Sequence, residues 1–279
     1  LDCNHAYYNT DKSLLTDNTF DILIDYLKTK DPNNKVLNQI GAIITDVESK
    51  VKLPYHCGSM DKIKPGSSAL NNYLKKYSGP YTLSEKLDGL SGLVKFSIDE
   101  SNDENDNVYN TDNLIMNLYS RGDGNTGQDI SHLLSFLKMS NDSLKKLKLK
   151  IKKWILDNDN ENNELCLRGE IIMKKNVFES KYKNKYPKAR SLVAGIVNSK
   201  ASNFNKLESR NIAKDIDLCF YQVVYPNNLK ANEQFKVLKS LGLFSAKNEI
   251  LDINKVILRN NFKLNMKGNN VKSENKFNK

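Results

Sequence analysis

A lysine and an aspartate two residues apart, Lys86 and Asp88, lie in the stretch Ser84-Glu85-Lys86-Leu87-Asp88-Gly89-Leu90-Ser91-Gly92. The stretch reads as strand, tight turn, strand. On a strand alternate side chains share a face, so the amine and the carboxylate are expected to point into one space. Gly89 and Gly92 would let backbone pass close to a ligand. An amine and a carboxylate beside open backbone suit covalent chemistry on a phosphate. Lys-x-Asp-Gly fixes only three positions, too few to identify a site without context from the rest of the chain.

The chain of 279 residues is long enough for one large domain, or a domain with a small appendage. Its 39% hydrophobic content, with 10 Phe and 13 Tyr, can build a core and excludes a disordered tail. A formal charge of +10 favours polyanionic partners such as nucleic acid. The abundance of Asn, Lys and Ile, as from an AT-rich genome, would produce the same charge with no partner. Cys3, Cys57, Cys166 and Cys219 form no Cys-x-x-Cys pair, which argues against a zinc site or disulfide framework and for reduced thiols inside a cell. No apolar run approaches a membrane span and the start lacks a signal-peptide layout, so the expectation is a soluble, intracellular, non-secreted protein. Leu1 stands where Met is usual, and a fragment is expected.

Several elements must position these residues. Thr16 can cap a helix whose apolar positions Phe20, Leu23, Ile24 and Leu27 have helical spacing. A linker containing Gly58-Ser59-Met60-Asp61-Lys62 follows, and Gly79-Pro80 introduces the central strand. Strands are expected over 93–98 and 114–119, joined by an acidic, solvated and dispensable loop at 99–112. Leu144, Leu147, Ile151, Trp154 and Ile155 fit one helix face, with six lysines among residues 145–153 expected on solvated faces. Further strands are expected over 165–173 and 218–225, and a helix over 233–240 closed by Gly242.

Taken in order, these segments resemble the adenylation core of the NAD-dependent DNA ligases. Lys86-Leu87-Asp88-Gly89 looks like the nucleophile motif. Arg121-Gly122-Asp123-Gly124, followed by Thr126-Gly127-Gln128-Asp129, is similar to the family's Arg-Gly-Asp-Gly turn. Arg168-Gly169-Glu170 resembles the third motif, and Ala189-Arg190-Ser191 through Ala194-Gly195 the Pro-Arg-Asn…Ala-Gly segment. The forms at 58–62 and 195–200 look closest to the branch carried by large DNA viruses. At the front, Tyr7, Asp17 and Asp21 resemble the helical module that holds nicotinamide mononucleotide (NMN), with Tyr8 where His is usual and Phe20 where Tyr is usual.

The resemblance implies an α+β fold: a ligase-type nucleotidyltransferase domain of antiparallel sheets flanked by helices over 51–279, preceded by a partial NMN-binding module over 1–50. It implies that Lys86 attacks the α-phosphate of NAD, releases NMN and keeps AMP as a phosphoramidate. A free lysine titrates near 10.4, so cations such as Arg121 and Arg190 would help free the amine while binding phosphate oxygens. Asp88 and Glu170 would hold ribose hydroxyls or Mg²⁺. Tyr221 would stack on adenine, Ser59 and Met60 would close over the adenosine, and Glu85 and Gly89 would complete the nucleotide contacts. Where many relatives place a glutamate two residues before the lysine, this chain has Ser84.

The tail departs from the pattern. Lys267-Gly268-Asn269-Asn270-Val271-Lys272 can be laid on the fourth motif, with Lys272 as a nucleotide contact and Arg259 just upstream, but Lys267 replaces its aspartate. No fifth motif precedes Lys279, so an incomplete C-terminus is expected. The implied partner is nicked double-stranded DNA, in replication or repair, acted on by a monomer. Because the barrel, zinc and helix-hairpin-helix modules of the whole enzymes lie outside this sequence, sealing by this chain alone is not expected. Two other readings stay open: an ATP-dependent nucleic-acid ligase or capping-type enzyme, and an inactive nucleotide- or nucleic-acid-binding remnant.

Overall fold

The computed structural model describes residues 14–38, 50–60, 63, 68–77, 79–99, 111–158 and 161–251. The chain divides into two compact units, one formed by Leu1–Met60 with Lys86–Ala246, the other by Asp61–Glu85 with Lys247–Lys279. Mixed helices and antiparallel sheets make it α+β.

The larger unit is built on an antiparallel sheet ordered β4-β3-β6-β7: β3 (Leu90–Ile98), β4 (Leu114–Ser120), β6 (Glu164–Met173) and β7 (Ile216–Tyr225). Alternation along these strands separates two faces. Val94, Phe96, Leu118, Leu165, Leu167, Ile171, Leu218 and Phe220 belong to one buried core. Ile151 and Ile155 of α3 (Leu144–Asp157) join it, as do Val193 and Ile196 of α5 (Ala189–Val197). Burying each such side chain contributes about 1.5–3 kcal/mol. On the other face Leu53, Cys57, Leu93 and Cys166 form a second, smaller cluster, flanked by Tyr55, Tyr119, Val224 and Tyr225.

That second face is covered in part by β1 (Lys50–Lys52), paired antiparallel with β5 (Thr126–Gln128). The Leu53 and Cys57 N–H groups donate to the carbonyls of Asn125 and Gly124, each at 2.8 Å, fixing the linker after β1 to the turn before β5. Around the core run α4 (Lys175–Lys181), α6 (Leu207–Lys214) and α7 (Ala231–Ser240), while the chain before β1 forms α1 (Asp17–Lys30). Thr16 caps α1 as expected, accepting from the Thr19 N–H at 3.2 Å. Phe20, Ile24 and Leu27 are half-buried, whereas Leu23 is exposed.

Two expectations change. Leu144 opens α3 exposed, because the first turn extends past the core. Lys152 is only 1% exposed, so the lysines of that helix do not all lie on solvated faces. Gly242 ends α7 with a positive φ of 74°, the left-handed conformation glycine adopts without strain.

The smaller unit contains α2 (Ser68–Lys76) and a two-stranded antiparallel sheet of β2 (Tyr81–Ser84) and β8 (Asn248–Leu251). Tyr73 stacks on Tyr81 with ring centroids 5.9 Å apart. No helix among the described residues is long and apolar enough to cross a membrane.

Gly195 in α5 offers a clean backbone test. A Cβ there would meet nothing within 4 Å, so Gly195→Ala removes only unfolded-chain entropy and is expected to stabilise by about 0.5–1 kcal/mol. Chemical denaturation measures this directly. Unchanged or lower stability would contradict the helical assignment.

Candidate active site

The register between β3 and β6 places Ser91 opposite Glu170 and Leu93 opposite Arg168. Their side chains therefore share the second face of the sheet. Ser91 Oγ donates to Glu170 Oε2 at 3.0 Å. Against β7 the pairing passes from Gly169↔Phe220 to Arg168↔Gln222, leaving Tyr221 as the extra residue of a bulge. A bulge re-aims a side chain. Here the Tyr221 hydroxyl lies 3.4 Å from Ser91 Oγ and 3.5 Å from Glu170 Oε2. The Arg168 guanidinium carbon sits 5.7 Å from the Tyr221 ring centroid.

The segment that carries Lys86 is not a strand. β2 stops at Ser84, and residues 85–88 have no regular structure before β3 begins at Leu90. The shared orientation expected from strand alternation therefore does not apply to Lys86 and Asp88. Gly89 explains the departure, because a Cβ there would lie 2.2 Å from the Ile171 carbonyl oxygen and 2.7 Å from Ile172 Cγ2. The space Gly89 leaves is taken by the protein's own β6. This close approach brings the Lys86–Asp88 segment to the strand carrying Glu170. Asp88 is 80% exposed and accepts from Arg190 Nη1 of α5 at 2.9 Å.

Arg121 follows β4, and its N–H donates to the Ser91 carbonyl at 3.2 Å. Its Nη1 donates to Ser59 Oγ at 3.3 Å. Gly122 and Gly124 have φ of 52° and 97°, and a Cβ on Gly122 would lie 1.9 Å from the Thr126 carbonyl oxygen. Asp123 Oδ1 accepts from the N–H groups of Asn125 and Thr126 at 2.9 and 2.7 Å, so this acid of the Arg-Gly-Asp-Gly turn builds the turn.

The electrostatics converge on Glu170. Burial pushes its carboxyl above the usual range, while the Ser91 hydroxyl and the positive charges of Arg190, Lys86 and Arg121 draw it back. Burial likewise raises the Tyr221 phenol, opposed by Arg168 and Ser91. The buried Cys57 thiol is pushed up by desolvation and drawn down by Arg168 and Arg121. Buried thiols of this kind are poor nucleophiles.

Of the residues expected from sequence, Lys86, Asp88, Gly89, Arg121, Ser59, Glu170, Arg190 and Tyr221 are thus gathered on or beside one face of the larger unit. Met60 is exposed at the end of the linker. Glu85 belongs to the smaller unit, where its carboxylate lies 3.6 Å from Lys247. Asp17 and Asp21 fall in α1, but their side chains, like Tyr7, Lys267 and Lys272, lie outside the described residues. Ser91 and Arg168 lie on the same face, and sequence places them in the motif stretches without giving either a role. Only the pairing of distant strands shows their partners.

Among the described residues no group of three His, Cys, Asp or Glu side chains is placed to hold a metal. Asp88 and Glu170 offer at most two carboxylates. That donor set fits Mg²⁺ only in the mode where phosphate and water oxygens complete the shell. A cavity of about 530 Å³, lined by Lys181, Tyr182, Lys185, Tyr186, Leu207 and Glu208 among others, is separate from this face. Its lysines already face Asp215 and Glu208.

Comparison with known proteins finds DNA ligases. A DNA ligase of Acanthamoeba polyphaga mimivirus is 40% identical over 237 residues, covering 85% of this chain and 31% of that protein. A candidate DNA ligase, 205R, of Invertebrate iridescent virus 6 is 32% identical over 261 residues, 93% of this chain and 34% of the relative. A DNA ligase of Fusobacterium nucleatum is 24% identical over 259 residues, 85% of this chain and 33% of the relative. The chain spans about a third of the length of these relatives. Residues 67–259 match the family described as NAD-dependent DNA ligase adenylation domain, and the chain belongs to that family.

Proposed function

We propose that this chain adenylates itself at Lys86, using NAD as the nucleotide donor. The Nζ lone pair of Lys86 attacks the α-phosphorus, an N–P bond forms, and the P–O bond to the bridging oxygen breaks. The electron pair leaves with NMN, the amine proton passes to solvent, and AMP stays on Lys86. The observation that carries this reading is the close approach of Gly89 to β6, which brings the Lys86 segment beside the strand of Glu170 and next to the Asp88–Arg190 pair, in a chain that matches the adenylation family. That arrangement suits a ligand with both anionic phosphates and neutral hydroxyls.

In this reading Arg121 and Arg190 bind phosphate oxygens, since a guanidinium fork pairs with two of them. Each has an exposed partner that phosphate could replace, Ser59 for Arg121 and Asp88 for Arg190. Asp88 and Glu170 hold ribose hydroxyls and share any Mg²⁺, which would supply positive charge against the phosphates. Tyr221 stacks on adenine, and Ser59 and Met60 line the nucleotide. Residues 1–50 form a partial NMN-binding module with Tyr7, Asp17 and Asp21, residues 51–279 form the adenylation domain, and Lys272 contacts the nucleotide. The activated AMP is destined for the 5′-phosphate of nicked DNA, the protein acting as an intracellular monomer in replication or repair.

Incubation with Mg²⁺ and adenylate-labelled NAD or ATP tests the donor. Covalent label from NAD and none from ATP is expected. Label from ATP alone would instead favour an ATP-dependent nucleotidyltransferase.

A further inference from the structure

Arg168 is 7% exposed, and its Nε has no hydrogen-bond partner among the described residues. Burying a guanidinium with an unsatisfied N–H is costly unless something in the site uses it. Leu93 faces it across β3 and supplies no acceptor. What it does meet is the ring of Tyr221, at 5.7 Å from guanidinium carbon to centroid.

The bulge leaves Tyr221 without a partner across β6. A residue displaced from the ladder needs other restraints to hold one orientation. Its hydroxyl end is held by Ser91 and Glu170. The Arg168 guanidinium restrains the ring itself. A cation held against an aromatic ring attracts it most strongly where water is excluded.

We propose that Arg168 is a positioning residue, fixing the Tyr221 ring as a rigid platform for the purine of the nucleotide. The inference rests on the adenylation reading given above. Arg168 touches neither phosphate nor sugar in this scheme and acts through Tyr221. Its removal loosens nucleotide binding more than it slows phosphoryl chemistry, because Lys86, Arg121 and Arg190 stay in place.

The test is a double-mutant cycle with Arg168→Met, Tyr221→Ala and the pair, read in single-turnover adenylation of Lys86 across NAD concentrations. Arg168→Met is expected to raise the half-saturating NAD concentration about tenfold while leaving the saturated rate within about threefold. Tyr221→Ala raises it at least as much, and the double variant matches Tyr221→Ala alone. Penalties that multiply in the double variant, or a loss confined to the saturated rate, would overturn the proposal. Arg168→Lys keeps the charge without the planar face and is expected to fall between wild type and Arg168→Met. It replaces Arg168→Met in the cycle if that variant does not fold. If the wild type forms no adduct, the adenylation reading fails, and calorimetric NAD affinity across the same cycle still decides the role of Arg168. Absence of NAD binding by the wild type overturns both.

Discussion

Glu170→Gln is expected to slow adenylation of Lys86 about a hundredfold, the usual effect of a misplaced reacting group, while making the protein more stable at neutral pH. The two effects have opposite signs because one carboxylate serves the ligand at a cost to the fold. Burial holds the Glu170 carboxyl above its ordinary value, despite the opposing Ser91 hydroxyl and the charges of Arg190, Lys86 and Arg121. A carboxyl whose folded value is raised binds its proton more tightly in the native state. Its contribution is therefore fully present below the unfolded value and is lost as pH rises through the folded one. Wild-type stability should decline from about pH 4 upward relative to Glu170→Gln, with the gap widening toward neutrality. Melting temperatures of both proteins over that range check the sign. A gap that closes with rising pH would mean that the surrounding cations outweigh burial.

Gly89→Ala should be the most damaging single-methyl change near the site. The added carbon would overlap the Ile171 carbonyl oxygen at 2.2 Å, and that oxygen belongs to a central strand that cannot withdraw. Either β3 separates from β6 at its start, or the segment bearing Lys86 moves away from Glu170. The first route costs about 3 kcal/mol or more by overpacking. The second preserves stability and removes adenylation. Denaturant unfolding and single-turnover labelling distinguish them, and a variant normal in both measurements would contradict the close approach. Gly195→Ala is the control, since a methyl group there meets nothing.

Some of this was legible in the sequence because local pattern sets local structure. The strands expected over 93–98, 114–119, 165–173 and 218–225 fall within β3, β4, β6 and β7, Thr16 marks the start of a helix, and Gly242 marks the end of another. The nucleophile segment was misplaced onto a strand because its conformation is set by contact with Ile171, 82 positions after Gly89 in the chain. Ser91 and Arg168, though they lie in the motif stretches, receive no role from sequence for the same reason. The Ser91 partner is 79 residues away, and the value of Arg168 depends on a bulge in a third strand. Lys152 read as a solvated helix lysine because its burial is decided by packing rather than by composition. Charge type and order identified the chemistry. Register decided which groups share a space.

The most direct measurement is the mass and position of the adduct. Wild-type protein exposed to NAD and Mg²⁺ should gain one AMP, and peptide mapping should place it on Lys86. Lys86→Ala should gain none while still binding NAD. An adduct on any other residue, or one that persists in Lys86→Ala, would contradict the assignment of Lys86 as the nucleophile.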